Sequence, residues 1–135
     1  MPSLNELAAK PYDANSAYTD VVHFVHILII EPHPQSPDPS PYGGRVWESR
    51  YSTVGQPETY DQRVAVAQET APLLEGNQLL LIDDLTPGHL NNPVWCTYGT
   101  SPNSAFLIRQ DGIIDTVQLW LDTAEMEKAI NDLLK

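Results

Sequence analysis

The spacing of apolar and polar positions predicts a short helix followed by a strand in the first part of the chain. Residues 3–10 predict a helix, because Ser3 is a good N-cap and Glu6 follows it three residues later. The strongest apolar run is 21–30, which is β-branched and nearly continuous. Such a run is typical of a strand buried on both faces of a parallel sheet.

The next regular elements are a second helix and a second buried strand. Residues 58–75 predict the helix, and Pro72 is expected to kink or end it. Residues 78–83 predict the strand, which ends in two carboxylates. The helix is expected to present one apolar face, formed by Val64, Ala67, Ala71 and Leu74.

The last part of the chain predicts a hairpin and a final helix. Residues 104–109 and 113–119 are expected to pair through a turn at Asp111-Gly112. The helix covers 123–134, capped by Asp122 or Thr123. Its inward face is expected to consist of Met126, Ile130 and either Leu133 or Leu134.

A proline-rich stretch separates the first strand from the second helix. Residues 31–44 contain five prolines, which exclude a helix or a central strand there. We therefore expect a stiff, polyproline-like loop at the carboxyl end of a strand. In open parallel sheets, ligands bind at that end. Residues 45–54 are compatible with a short edge strand or with loop.

Composition narrows the class of protein. The chain has 135 residues, which predicts a single domain over 1–135. Its formal charge of −11 argues against nucleic acid and anionic membranes as partners. Cys96 is the single cysteine, so neither an intrachain disulfide nor a zinc site built on several thiolates is available. No phosphate-binding glycine loop, secretory signal or membrane-length apolar run occurs, and we expect a cytoplasmic protein without a cofactor.

The element order is that of a thioredoxin-like α/β fold that lacks its first, central strand. Helix, strand, helix, strand, hairpin and helix follow one another in that fold. Thioredoxin-like proteins carry a cis-proline directly before the third of these strands, and Pro102 stands at that position. The alternative is an ordinary trans proline that opens a strand.

Several short motifs resemble the iodothyronine deiodinases and their bacterial relatives, the deiodinase-like redoxins. The run from Phe24 to Pro34 is similar to the strand and Glu-Ala-His-Pro turn of that family. The other stretches that resemble it, in chain order, are Pro2 to Leu7, Gln56 to Arg63, Tyr98-Gly99 ahead of Pro102, Phe106 to Ile108, and Asp111-Gly112. The resemblance covers nearly the whole chain.

This resemblance implies a thiol- or selenol-dependent oxidoreductase acting on small thiols, disulfides or peroxides. Glu31, His33 and Pro102 would then surround the reacting atom, with the imidazole as proton donor and the carboxylate orienting it. The family's cysteine or selenocysteine nucleophile would precede Met1, and its second histidine aligns with Pro57. The chain is therefore expected to be inactive. Three explanations of such a start are open: a selenocysteine codon read as a stop, a start assigned wrongly for another reason, or a truncated form that exists and is not catalytic.

Simpler roles compete with these assignments. Glu31 and His33 could form a polar turn that keeps the proline-rich loop solvated. Cys96 could be a resolving thiol, although a lone cysteine is more often a small buried side chain, which we expect here. Asp83 and Asp84 could be paired carboxylates for acid–base chemistry or magnesium, or simply a solvated strand end.

The remaining histidines are not expected to bind a metal. His23 and His26 are three residues apart on a strand and would point to opposite faces, so they cannot chelate one ion together. Each is expected to be a packed or rim side chain. His89 lies in a loop, and its spacing from His33 and the two aspartates does not support a shared site.

Two hypotheses concern partners. If the chain is not catalytic, the proline-rich segment 32–41 could act as the contact of a binding or scaffold module. In addition, a thioredoxin-like fold without its central strand leaves open edges on 21–30 and 104–109. We therefore expect a homo-oligomer formed by strand exchange or edge pairing.

Overall fold

Helices and short strands alternate along the chain in a mixed α/β arrangement. The computed structural model describes residues 3–35, 38, 55–85, 92–98 and 103–135. Within these ranges there are five α-helices and four strands, and the strands form two sheets of two strands each. The helices are α1 (Leu4–Ala9), α2 (Tyr18–Val21), α3 (Tyr60–Thr70), α4 (Pro93–Tyr98) and α5 (Thr123–Leu133). The strands are β1 (Val25–Leu28), β2 (Leu79–Ile82), β3 (Ala105–Ile108) and β4 (Ile114–Gln118).

The chain divides into two compact units. Unit 1 comprises Met1–Phe24, Glu75–Gln78 and Gly99–Lys135, and unit 2 comprises Val25–Leu74 and Leu79–Tyr98. Unit 1 therefore holds α1, α2, the β3–β4 hairpin and α5. Unit 2 holds β1, α3, β2 and α4.

The first helix of unit 1 begins as the sequence predicts. The Ser3 hydroxyl accepts a hydrogen bond from the Glu6 N–H at 3.2 Å, and the Glu6 carboxylate accepts one from the Ser3 N–H. Two amides that would otherwise lack partners are satisfied in this way. The short helix α2 was not predicted, because the stretch around it is polar. Its Ala17 N–H donates to the Asp20 carboxylate at 2.7 Å.

The hairpin of unit 1 confirms the predicted turn. β3 and β4 pair in antiparallel fashion, with an irregularity in register after Leu107. The Arg109 N–H donates to the Ile113 carbonyl oxygen at 2.9 Å across the turn. Gly112 has φ = +83°, a left-handed conformation that a side chain with a Cβ adopts only at a cost.

The core of unit 1 forms where α5 packs against β3 and α1. Asp122 caps α5, since its carboxylate accepts hydrogen bonds from the Ala124 and Glu125 amides. The buried apolar cluster consists of Leu7, Ala8, Tyr18, Phe24, Leu107, Met126 and Ile130. The prediction that Leu133 or Leu134 faces inward was wrong: they are 41% and 39% exposed. The buried stripe ends at Ile130, one turn before the helix ends.

Unit 2 contains a parallel pair of strands joined by α3. β1 pairs with β2 so that Val25 lies opposite Leu79 and Leu28 opposite Ile82, and α3 packs on β2. The predicted burial of these strands on both faces was wrong. Exposure alternates along both strands, and Val25, Ile27, Leu79 and Leu81 are 40–53% exposed. A continuous apolar run does not reveal which of its two faces is covered.

Helix α3 begins with a reciprocal cap and ends before Pro72. The Thr59 hydroxyl accepts a hydrogen bond from the Gln62 N–H, and the Gln62 side chain accepts one from the Thr59 N–H. The helix tightens into a 3₁₀ turn at Ala71–Leu73, because Pro72 cannot donate the next helical hydrogen bond. Its buried face is formed by Arg63 and Ala67, whereas the predicted Ala71 is exposed.

Several sequence predictions lie outside the described residues. They are the assignment of 45–54, the conformation of Pro102, the position of His89, and most of the proline-rich stretch 31–44. In the parts of the chain that the structure describes, no helix has the length and apolar character needed to cross a membrane.

Candidate functional site

The segment that follows β1 is held in place by the side chain of Gln56. The Gln56 Oε1 atom accepts a hydrogen bond from the Glu31 N–H, and its Nε2 atom donates one to the Glu31 carbonyl oxygen, both at 3.0 Å. The carboxamide therefore pairs with both backbone groups of one residue, as a neighbouring strand would. This contact fixes the backbone of Glu31 three residues after the strand ends.

The Glu31 carboxylate organises the turn toward His33. Its Oε1 atom accepts a hydrogen bond from the His33 N–H at 2.9 Å. This hydrogen bond involves the backbone amide of His33 and not its imidazole ring. Through this bond the Glu31 carboxylate therefore positions the turn and does not orient the ring. The residue His33 is exposed, Glu31 is half-buried, and Pro34 is among the most completely buried residues. The turn is thus anchored at Pro34, while His33 is accessible to solvent.

Asp38, within the proline-rich stretch, contacts Gln56 ahead of α3. Its Oδ2 atom accepts a hydrogen bond from the Gln56 N–H at 2.7 Å. The neighbouring Gly55 approaches the same oxygen so closely that an added Cβ would lie 2.9 Å from it. A glycine is therefore required at position 55 for this contact to form without displacement.

A second polar network lies at the carboxyl end of β2 and is buried. Arg63 on α3 is fully buried, and its Nη1 atom donates to the carbonyl oxygens of Asp83 at 3.0 Å and Asp84 at 3.3 Å. Its Nη2 atom donates to the Asn92 Oδ1 atom at 2.6 Å. Asn92 is 1% exposed. This network connects α3, the end of β2 and the start of α4.

The side chain of Asp83 connects the end of β2 to the start of α4. Its two carboxylate oxygens accept hydrogen bonds from the Val94 N–H at 3.0 Å and the Trp95 N–H at 3.1 Å. The residue is 2% exposed, whereas Asp84 is exposed. The interpretation of both aspartates as a solvated strand end is therefore wrong for Asp83. A carboxylate at this place compensates the positive end of the short helix.

Burial opposes the charge on Arg63, and the aspartates offset part of this effect. Burial lowers the pKa of the Arg63 guanidinium below its ordinary value, while the charges of Asp83 and Asp84 raise it. Among the residues that the structure describes, none forms a hydrogen bond with the Nε atom of Arg63. A buried cation in this situation depends on its nearby anions, because an uncompensated buried charge is strongly destabilising.

The two networks lie at the same edge of one sheet. β1 and β2 are parallel, and the Asp83 N–H extends the ladder by donating to the Leu28 carbonyl oxygen at 2.9 Å. The Glu31 turn follows β1, and the Asp83 network follows β2. Polar groups are therefore concentrated at the carboxyl edge of the sheet, where ligands of parallel sheets bind.

Cys96 lies on α4 and is exposed. The expectation that it is a buried apolar side chain was wrong, because α4 is a single six-residue helix without a buried residue. The Cys96 N–H donates to the Asn92 carbonyl oxygen at 2.7 Å. The helix start that Asp83 and Asn92 define therefore also fixes the backbone of Cys96. Its role as a resolving thiol stays a prediction.

The structure brings together part of the predicted set. Glu31 and His33 lie in one turn, whereas Pro102 and His89 lie outside the described residues. Within the described ranges, no group of three or more histidine, cysteine or acidic side chains is arranged to hold a metal ion. His23 is exposed and His26 is half-buried.

Sequence reasoning did not find Arg63 and Asn92 as members of a buried network. Arg63 precedes Ala67 by one helical turn, so a charged residue stands on the same face as a residue predicted to be buried. That mismatch is the one signal that could have indicated a buried ion. Asn92 carried no signal, because its partner is 29 residues away in the sequence.

Comparisons with known proteins do not assign the chain to a family. No family model matches it, and neither curated proteins nor solved structures include a match. The likeness to the deiodinase-like redoxins is therefore a resemblance between short motifs.

Proposed function

We propose that the chain is a thioredoxin-like domain of a deiodinase-like thiol or selenol oxidoreductase. The element order supports this proposal, since the parallel β1–α3–β2 unit is followed by an antiparallel hairpin and a final helix. The observation that carries it is the pairing of Gln56 with the Glu31 backbone, which holds an exposed His33 at the carboxyl edge of the sheet.

The chemistry proposed for this edge is cleavage of an S–S or O–O bond. A thiolate or selenolate attacks one atom of that bond, and the bond between the two atoms breaks. The departing atom takes a proton from the His33 imidazolium, which acts as the general acid. A thiol reductant then restores the nucleophile, with small thiols, disulfides or peroxides as the substrate class.

We also expect that the 135-residue chain by itself does not catalyse the reaction. Its single thiol belongs to Cys96, and Cys96 does not stand at the family's nucleophile position, which precedes the helix that resembles Pro2 to Leu7. In this form the chain would retain the proton donor and the positioning residues without the attacking atom. A cytoplasmic location belongs to the same proposal.

The experiment is to isolate the native protein from its source cells and to determine its intact mass and activity. For the native form we expect reduction of hydrogen peroxide or a small disulfide that depends on a thiol as the reductant. In that form, the His33→Ala variant should lower kcat by roughly 10²-fold or more, as loss of a general acid does. The matched His23→Ala variant, which removes another exposed histidine, should not.

The opposite outcome would contradict the proposal that the protein is an enzyme. A native protein without thiol-dependent activity would contradict the oxidoreductase and would favour the alternative, a binding module that acts through segment 32–41. Equal effects of the two histidine variants on kcat would refute the role of His33 while leaving the enzyme class intact.

A further inference from the structure

The β3–β4 hairpin of unit 1 carries large apolar side chains on both of its faces. On one face, Leu107 is buried in the cluster that includes Met126 and Ile130 of α5. Because side chains alternate along a strand, Phe106 and Ile108 point to the other face, and their partners across the hairpin are Val117 and Ile114. An antiparallel sheet with one solvated face normally carries polar residues on it. In this hairpin the residues that pair across that face are apolar, and the acidic Asp115 lies at the irregularity in register.

The second face and the bend that follows it are substantially exposed. We define the hairpin patch as Ile108, Ile114, Val117, Leu119 and Trp120, which are 57%, 43%, 51%, 67% and 64% exposed. If a large apolar side chain presents about 150–250 Å², the patch offers on the order of 500 Å². Monomeric proteins seldom expose a larger contiguous apolar patch than this, and such patches commonly mark interaction sites.

The area and the charge of this surface fit a second copy of the chain. Two such patches facing each other bury roughly 1,000 Å² in total, which is the lower bound for a specific protein interface. The formal charge of residues 103–121 is −1, from Arg109, Asp111 and Asp115, whereas the whole chain carries −11. Two strongly acidic copies would therefore meet at a stretch with little net charge. A symmetric contact would remove the apolar side chains of both patches from water at once.

We propose that the hairpin patch is the interface of a homodimer in which two hairpins pack face to face. The contact is isologous, and the outer face of each hairpin covers that of its partner at the spacing of stacked sheets, about 10 Å. This proposal is independent of the oxidoreductase proposed above. It also differs from pairing through the edges of 21–30 and 104–109, because side chains and not backbone groups form the contact.

Sedimentation equilibrium of the 135-residue chain tests the proposal. We expect a dimer of twice 15.0 kDa that dissociates on dilution and tightens as salt screens the repulsion between acidic copies. The Val117→Arg and Leu119→Arg variants should each raise the dimer dissociation constant at least 10-fold. The matched Leu73→Arg variant introduces the same charge at an apolar side chain of unit 2 that is 71% exposed, and it should leave the constant unchanged.

Three results would overturn the proposal. The first is a wild-type chain that stays monomeric at the highest concentration tested, and the second is equal dissociation by Leu73→Arg. The third is hydrogen exchange in which dimer formation protects alternate amides of β4, since that pattern indicates pairing of strand edges. Circular dichroism of each variant verifies that it is folded before its dissociation constant is compared.

Discussion

Replacing Asp83 with alanine should destabilise the protein far more than the same change at Asp84. Asp83 is buried and both of its carboxylate oxygens accept hydrogen bonds from α4, whereas the side chain of Asp84 belongs to an exposed residue. The Asp84→Ala variant keeps the Asp84 carbonyl oxygen, which accepts from Arg63. The two adjacent aspartates are therefore a matched pair that differs in environment.

The expected cost of Asp83→Ala is about 3–5 kcal/mol. Two hydrogen bonds to a charged group contribute roughly 1.5–3 kcal/mol each, and removing one member of a buried charge pair costs about 3–5 kcal/mol. An exposed helix cap would cost only about 1 kcal/mol. A loss of about 3–5 kcal/mol would therefore exceed that of a simple cap, because two hydrogen bonds to a buried carboxylate and part of the charge that offsets the buried Arg63 guanidinium are lost together. For Asp84→Ala we expect a change within about 0.5 kcal/mol.

Urea unfolding, followed by the circular dichroism of the backbone and by tryptophan fluorescence, measures both costs. With a slope of about 2 kcal/mol per molar urea, Asp83→Ala should lower the midpoint by roughly 2 M. Equal midpoints for the two variants would show that Asp83 is a solvated strand end after all. A loss near 1 kcal/mol would indicate a simple helix cap and would refute the coupling to Arg63.

Three further predictions concern other described contacts. Gln56→Ala should cost about 1–3 kcal/mol and speed hydrogen exchange of the Glu31 amide, because two hydrogen bonds are lost, whereas Gln68→Ala at an exposed position of α3 should change neither. The hydrogen bond from Lys10 holds the pKa of Glu127 below its ordinary value of 4.5. The contribution of this ion pair to stability is therefore complete above pH 4.5 and is lost as the pH falls through the pKa of Glu127 in the folded protein. Glu127→Gln should therefore flatten the decline of Tm in acid, and an unchanged decline would contradict the assignment. Cys96 should react with a thiol reagent in the folded chain nearly as fast as in urea, and slow labelling would mean that it is shielded.

The features that were predicted correctly depend on neighbours in the sequence. The reciprocal cap of Ser3 and Glu6, the turn at Asp111-Gly112 and the Asp122 cap each involve groups within a few residues. Local chemistry is sufficient to fix such features, because both partners are present in any conformation that brings the short segment together.

Helix α2 shows why other elements could not be predicted. It is a single turn in a polar stretch, and its stability depends on distant partners. The Tyr18 hydroxyl contacts Glu127 at 3.1 Å and Asn131 at 2.9 Å, more than 100 residues further along the chain. Its ring also meets that of Tyr12 edge to face, with centroids 5.4 Å apart. Tertiary packing of this kind overrides local propensity.

The candidate site was predictable only in part, for a similar reason. Glu31 and His33 lie two residues apart, so their placement in one turn follows from the sequence. Asp83 was recognised as the end of a strand, but its burial depends on α4, which covers residues that carry little helical signal. The exposure of Cys96 follows from the same helix. Composition alone favoured burial, since lone cysteines are usually small core residues.

The contacts of Gln56 have a consequence for variation in the proline-rich loop. Gln56 pairs with Glu31 and donates to Asp38, so the two ends of the connection are joined by their own hydrogen bonds. Loop-closure entropy depends only weakly on length, at about 0.6 kcal/mol for each doubling. A change in the length of this connection would therefore alter the loop-closure part of the folding free energy little. The hydrogen bonds of Gln56 to Glu31 and Asp38 would still hold the residues ahead of α3 against the segment that follows β1.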